Sequence, residues 1–251
     1  MRVFLLPEEA GRARRVEIRG EDFHYLSRVL RLKAGEEFRS TDGSGGHWLC
    51  RVARIGRNSL EAVVQERLES EPPGPQISLL QVLPKGRKMD LIVRQATESG
   101  VARVVPLVGR RSLCRFDNEE DVQGRLHRWR RIAREAMQQS GAPAMPVIEE
   151  PRGFGAAFGE TQAGEVRVVF HQERCGGLSL HGCLAGEVRS VLVVIGPEGG
   201  LADEELDFLV SQGFHPVTVG VTVLRTETAA VFAVAAIQTI LQERQAWQPV
   251  P

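Results

Sequence analysis

The chain has 251 residues, 42% of them apolar and 25% charged, with a formal net charge of zero. This length buries a substantial core, with two domains expected, and the composition is that of a globular protein, which excludes disordered and fibrous classes. The longest stretch free of Lys, Arg, Asp and Glu, Phe208 to Leu224, is interrupted by Gly213 and Pro216, so no membrane span is expected.

The opening MRVFLLPEEA lacks the length of a signal peptide, which makes the cytoplasm the default location. Cys50, Cys114, Cys175 and Cys183 form no CxxC pair. Buried free thiols are therefore expected, with neither a zinc site nor a disulfide framework. The histidines show no metal-ligand spacing, and no metal is expected. Charge is unevenly spread: residues 1–70 carry 13 basic and 11 acidic side chains, 71–146 carry 13 and 8, and 147–251 carry 6 and 13. A basic front and an acidic back suit a polyanion bound to one part of the molecule only.

In chain order, the helix HYLSRVLRL places Leu26, Val29 and Leu30 inward and leaves Arg28 and Arg31 to solvent. The alternating segments EEFRS, HWLCRVARI and NSLEAVVQE, separated by KAG, TDGSGG and GRN, predict a small curled antiparallel sheet or barrel. ERLESEPPGPQ, from Glu66 to Gln76, continues neither helix nor central strand because proline fixes φ and lacks a donor. It reads as a linker, with its proline-rich part at 71–76.

Beyond it the texture is α/β. Strands are predicted at 77–83, 102–108, 166–172, 191–196 and 215–220, as apolar runs suited to a parallel sheet covered on both faces. Helices are predicted at Arg87 to Ser99, with Met89, Ile92, Val93 and Ala96 on one side and Gly100 as terminator, and at Asp121 to Ser140, with Trp129 in the core. The last helix, TETAAVFAVAAIQTILQER, is apolar on several faces, which favours burial between the sheet and something else.

VLVVIGPEGGLADEEL, from Val191 to Leu206, reads as strand, glycine turn and helix. No lysine follows Lys88, which excludes a Walker loop, and Gly196, Gly199 and Gly200 do not match the dinucleotide fingerprint. Asp203, Glu204 and Glu205 in the first turn of the helix would repel a phosphate, so a neutral or cationic ligand fits better. A tight structural connection remains the alternative. In VTVGVTVLRTETAAVF, Arg225 and Glu227 precede a buried helix, where polar groups are costly unless paired or used, and Thr226 or Thr228 is a candidate cap.

GPEGG followed by LRTETA resembles the SPOUT class of methyltransferases. With HYLSRVLRLKAGE, PKGRKMDLIVRQATESGV and AREAMQQSGAPAMPVI in this order, the chain from Val3 to about Gln242 is similar to one family, the ribosomal RNA small subunit methyltransferase E family, RsmE. The resemblance implies a PUA-like RNA-binding β-barrel at 1–70, a linker at 71–76, and a SPOUT α/β domain at 77–251 with a deep C-terminal trefoil knot, an exception to the rule of unknotted connections. It implies a homodimer that uses S-adenosyl-L-methionine to methylate N3 of a uridine, 1498 in the usual bacterial numbering, in 16S rRNA of the small ribosomal subunit. A SPOUT enzyme for another RNA nucleoside and a non-catalytic RNA-binding or assembly protein remain alternatives.

Carried onto this chain, the cofactor loops are Phe170, His171, Gln172 and Glu173; Ile195, Gly196, Pro197, Gly199 and Gly200; and Val219, Gly220, Val223 and Leu224. Arg225 is the candidate for holding negative charge on uracil or phosphate, and Glu198 is a candidate proton acceptor or orienting group. Arg28, Arg31, Lys85, Arg87 and Arg94 are candidates for RNA phosphates. Against the family's usual LGxRILRxETA, this chain has VGVTVLRTETA: Val219 replaces a leucine and Thr222 an arginine. Ala202 stands where Ser or Thr often caps the helix after GPEGG, and Asp203 is expected to cap instead.

Overall fold

A computed structural model describes residues 4–6, 14–41, 46–68, 74–112, 116, 118–142, 144–172, 177–218, 220 and 222–246. Residues 71–73 of the expected linker, and Cys114, Cys175, Glu173 and Val219, lie outside them. The chain forms two compact units, one of residues 1–72 with 134–145 and one of 73–133 with 146–251.

In the first unit, the strands are β1 (Phe4–Leu5), β2 (Arg15–Arg19), β3 (Glu37–Thr41), β4 (His47–Ile55) and β5 (Ser59–Leu68). They lie in the order β1-β3-β4-β5-β2. All pairings are antiparallel except β1 with β3, a parallel pair that the hairpin pattern of the sequence does not announce. Alternation fixes which face is buried: Val16 and Ile18 of β2, Cys50 and Val52 of β4, and Leu60 and Ala62 of β5 join Phe4, Phe23, Leu26 and Phe38 in one core. Register shifts at Leu49/Cys50 and Val52/Arg54 add the local bend and twist expected of bulges. The Cys50 thiol is buried, and its pKa is raised by that burial; Cys183 is partly buried.

The predicted front helix has a different geometry. One turn of α-helix, α1 (Gly20–His24), passes into a π-helical turn at Tyr25–Val29, where the Leu30 N–H bonds to Tyr25 O at 3.0 Å. The wider i→i+5 turn rotates the later side chains relative to an α-helix. Leu26 remains fully buried, but Val29 is turned out to 57% exposure, which corrects its predicted inward position. Arg28 is exposed, and Arg31 follows in the left-handed region at φ 54°. The last two turns of α3 (Glu119–Ser140), from Arg134, belong to this unit: Arg134 Nη2 lies 2.6 Å from Asp22 Oδ2, and Met137 packs with Leu5 and Ala142.

The second unit is an α/β structure on a parallel sheet. Its strands are β6 (Gln76–Val82), β7 (Arg103–Val108), β8 (Val147–Ile148), β9 (Arg152–Gly153), β10 (Glu165–Phe170), β11 (Ser190–Ile195) and β12 (His215–Val217). They run in the order β12-β10-β11-β6-β7-β8, with β9 also paired to β7. The short β8 and β9 were not legible as apolar runs. β12 ends at Val217, three residues before the predicted end of that strand. Helix α2 (Lys88–Glu98) buries Met89, Ile92, Val93 and Ala96 as the spacing predicts. Gly100, at φ 70°, donates to Thr97 O while Val101 donates to Ala96 O, a Schellman closure. Trp129 of α3 is 3% exposed and is core.

After the short α4 (Leu180–Cys183) and α5 (Asp203–Ser211), α6 (Thr226–Ala246) buries one stripe, Ala230, Ala233, Val234, Ile237 and Leu241, against β6, β11 and α2. Phe232 on its other side is 43% exposed. Among the described residues, no helix is long and apolar enough to cross a membrane, and no group of three or more metal-ligating side chains occurs.

The π turn makes a testable distinction between two residues that the sequence treats alike. Leu26→Ala is expected to cost about 2–5 kcal/mol, whereas Val29→Ser stays within about 0.5 kcal/mol, in urea unfolding of the whole chain. Equal losses at both positions would show that the segment is an ordinary α-helix.

Candidate functional site

Parallel strands deliver their carboxyl ends to one edge, the usual place for ligands in open α/β sheets. Phe170 of β10 pairs with Ile195 of β11 and Val217 of β12, and Ile195 pairs with Gln81 of β6. The described parts of the three expected cofactor loops, 170–172, 195–200, and 220 with 222–224, therefore leave neighbouring strands near one edge. Phe170 and His171 are half-buried and Gln172 is exposed; the His171 amide donates to Val217 O at 3.0 Å. Ile195 and Pro197 are buried, Gly196 and Gly200 half-buried, and Gly199 exposed. In the third loop, Gly220 is exposed at φ 83°, Val223 is 76% exposed and Leu224 is half-buried.

Pro197 to Gly200 form a turn closed by the Gly200 N–H on Pro197 O at 3.0 Å. Gly200 sits at φ 70°, a conformation that a Cβ disfavours. The turn is held from the side: Arg111 Nη1 donates to Gly199 O at 2.8 Å. Behind it, Glu205 accepts from the Arg110 amide at 2.6 Å and from the Ala202 amide at 2.8 Å. Ala202 is the N-cap residue of α5 and has no side-chain acceptor, so the reciprocal bond from Glu205 does the capping. Asp203 is the first helical residue, which corrects its expected capping role. A Cβ on Gly109 would fall 2.9 Å from both Glu205 Oε1 and Val82 Cγ1, which explains a glycine there.

Two layers of polar contacts link this turn to β6 and α6. In the buried layer, Gln81 Nε2 donates to Val82 O at 2.8 Å and to Thr226 Oγ1 at 2.9 Å. The Thr226 hydroxyl in turn donates to Gly196 O at 2.6 Å. Thr226 thus ties the turn to the start of α6 instead of capping it, while Arg225 O accepts the first helical amide, from Ala229. Gln81 is fully buried, with its Nε2 partnered while its Oε1 has no hydrogen-bond partner among the described residues.

In the outer layer, Lys88 Nζ lies 2.7 Å from Glu198 Oε1 and 3.4 Å from Glu227 Oε2. The second contact is an ion-pair distance without hydrogen-bond alignment. The Lys85 amide donates to both Glu198 oxygens at 3.2 Å. Burial pushes the Glu198 carboxyl up, but the Lys88 hydrogen bond, the backbone amides and the ammonium charge outweigh it and hold it below the ordinary 4.5. The hydrogen bond that the Lys88 ammonium donates to Glu198 likewise raises Lys88 above 10.5 against the opposing effect of burial.

The structure thus brings Glu198 together with Lys88 and Glu227. The sequence did not single out Lys88, Gln81 or Arg111 for the site, although a glutamine inside ISLLQVL was a usable signal. Arg225 is exposed beside this cluster in sequence, and its side chain has no hydrogen-bond or ion-pair partner among the described residues. Lys85, Arg87 and Arg94 are exposed on the loop before α2 and on α2 itself, while Arg28 and Arg31 are exposed on the first unit.

Comparison with known proteins supplies the family. Residues 70–238 match the model for an RNA methyltransferase domain, and residues 18–65 match that for an RNA methyltransferase PUA domain. The chain is similar to the ribosomal RNA small subunit methyltransferase E of Synechocystis, 31% identical with 96% of this chain and 78% of the relative covered. It is similar to that of Aquifex aeolicus as well, 34% identical with 86% and 90% covered. Among solved structures, that of a ribosomal RNA small subunit methyltransferase E from Neisseria gonorrhoeae bound to S-adenosyl methionine superposes with a TM-score of 0.84 at 27% identity, covering 96% of this chain and 98% of the other. A Legionella pneumophila methyltransferase in complex with the same cofactor gives a TM-score of 0.77 at 25% identity, covering 95% and 96%. With its parallel sheet, its PUA-like first unit and these matches along most of its length, the chain belongs to the ribosomal RNA small subunit methyltransferase E family of SPOUT-class RNA methyltransferases.

Proposed function

We propose that this chain uses S-adenosyl-L-methionine to methylate N3 of the family's target uridine in 16S rRNA, acting as a homodimer with a C-terminal trefoil knot. The observation that carries the reading is the shared edge to which β10, β11 and β12 bring the three cofactor loops. The residues there fit the cofactor. Among the described residues, a Cβ on Gly220 would meet nothing within 4 Å, which leaves space beside this glycine for a ligand. The acidic first turn of α5 disfavours a phosphate but accepts a cationic sulfonium.

On this reading, residues Phe170 to Glu173, Ile195 to Gly200 and Val219 to Leu224 hold the cofactor. When bound, it supplies a methyl group activated by a positively charged sulfur. The protein's task is then to place uracil N3 and to ease loss of its proton. Arg225, exposed and unpartnered among described residues, neutralises charge developing on the uracil carbonyls or holds an RNA phosphate. Glu198 is engaged by Lys88 and the Lys85 amide, which favours orientation over proton acceptance. Arg28 and Arg31 on the PUA-like unit, with Lys85, Arg87 and Arg94 on the catalytic unit, contact RNA phosphates and set affinity, leaving selection to RNA shape.

Labelled cofactor offered to isolated small subunits and to naked 16S RNA, followed by mapping of the modified base, tests the assignment. N3-methyluridine at the target position supports it, and a mark on another nucleoside overturns it. Arg225→Ala is expected to lower kcat by about a hundredfold while calorimetric affinity for the cofactor is retained. An unchanged kcat would remove Arg225 from the reaction. The pair Arg28→Ala and Arg31→Ala should weaken RNA binding and flatten its log–log salt dependence by about one unit per lost phosphate contact. An identical salt slope would place the RNA elsewhere.

A further inference from the structure

Lys88 opens α2, directly after the β6–α2 connection. One ammonium at this point meets Glu198 of the turn after β11 and Glu227 in the first turn of α6. The side chains of Lys88 and Glu198 are about one-third exposed, and that of Glu227 is 14% exposed. This is a half-buried three-charge cluster joining three separate segments, unlike an isolated surface pair whose charges are free to separate into water. Two of the segments it joins, the turn after β11 and the start of α6, are also tied to each other and to β6 by Gln81, Thr226 and Gly196 O. Arg225, immediately before Thr226, inherits whatever position this junction gives to the start of α6.

We propose that Lys88 is a positioning residue for the reaction: its ammonium bridges Glu198 and Glu227 and holds the 196–200 turn against the start of α6. The inference rests on the methyltransferase reading above and adds to it a residue that touches neither cofactor nor uracil. The charged groups around Glu198 are Lys88 of α2, Glu227 of α6 and Arg111, whose guanidinium holds the neighbouring Gly199 carbonyl. The Lys85 amide completes the set. With Lys88 removed, burial acts on Glu198 without the ammonium that opposes it, so its carboxyl titrates at higher pH than in the parent. The sign follows. Glu198 has a depressed pKa in the folded chain, so what its ionised form stabilises is complete above the ordinary carboxylate value and is lost as pH falls through the lowered one. Without Lys88 that loss moves up in pH.

The test compares the full-length parent, Lys88→Met and Lys88→Arg. Lys88→Met is expected to lower kcat about tenfold and to move the acid limb of the kcat profile to higher pH. Lys88→Arg, which keeps the charge, restores most of the rate and the parent profile. Adding Glu198→Gln to Lys88→Met removes the displaced limb. A Lys88→Met enzyme with the parent rate and profile overturns the proposal. So does a loss of rate that is uniform with pH and not relieved by arginine, since that marks a purely structural lysine. Should Lys88→Met fail to fold, carbon-13 NMR of glutamate-labelled parent, with Glu198→Gln to assign the signal, decides the matter without it. Titration of Glu198 below 4.5 supports the bridge, and titration at or above that value overturns it. If the parent itself methylates no ribosomal RNA, the functional reading fails, while the carboxyl titration still judges the role of Lys88.

Discussion

Because all the strands of the larger sheet run in parallel, each chain segment that leaves a strand does so on the same side, and three of the loops that matter start from adjacent carboxyl ends. Phe170, Ile195, Val217 and Gln81 are linked by direct pairings across four neighbouring strands. The rest of the candidate site depends on that register. A shift of one residue in β11 would turn buried Ile195 and Val193 to the opposite face and move the GPEGG turn away from Thr226. The sheet therefore sets where the loops begin, and polar contacts at the edge set where they end.

Those contacts divide the work by depth. Gln81 and Thr226 are buried and Gly196 half-buried, and their geometry is favoured because an amide nitrogen without partners in that position would carry a large desolvation cost. Lys88, Glu198 and Glu227 lie further out, where charge gives the junction a dependence on pH that the inner layer lacks. Glu205 and Arg111 brace the same turn from the side of β7. A turn gripped on three sides needs little reorganisation to receive a ligand, which is what preorganisation requires. The guanidinium of Arg225 is exposed and has no partner among the described residues.

How much of this was legible in the sequence varies from element to element. The apolar runs of β6, β7, β10 and β11, the buried stripe of α2 and the Gly100 closure were readable because each is a local pattern. β12 was overextended because VTVG continues the apolar run past the point where pairing stops. Val29 was misplaced because hydrophobic spacing presumes an α-helical turn, and nothing local announces a π turn. The capping of α5 was assigned to Asp203 from its residue type, whereas Glu205 performs it through a bond back to the Ala202 amide.

By itself the sequence determined the class of the protein: an ordered set of motifs specific to one methyltransferase family, a basic front and acidic back, and a glycine turn lacking the lysine of a phosphate loop. It named Arg225 as a holder of negative charge and left Glu198 between proton acceptor and orienting group. Only the tertiary structure placed Lys88, 110 and 139 positions before its partners Glu198 and Glu227, between their two carboxylates, and set the Gln81 amide against Thr226. The physical reason is range. Propensity, period and turn chemistry act over a few residues, whereas an ion pair or a buried hydrogen bond is fixed by the three-dimensional distance between groups that strand order, not sequence separation, brings together.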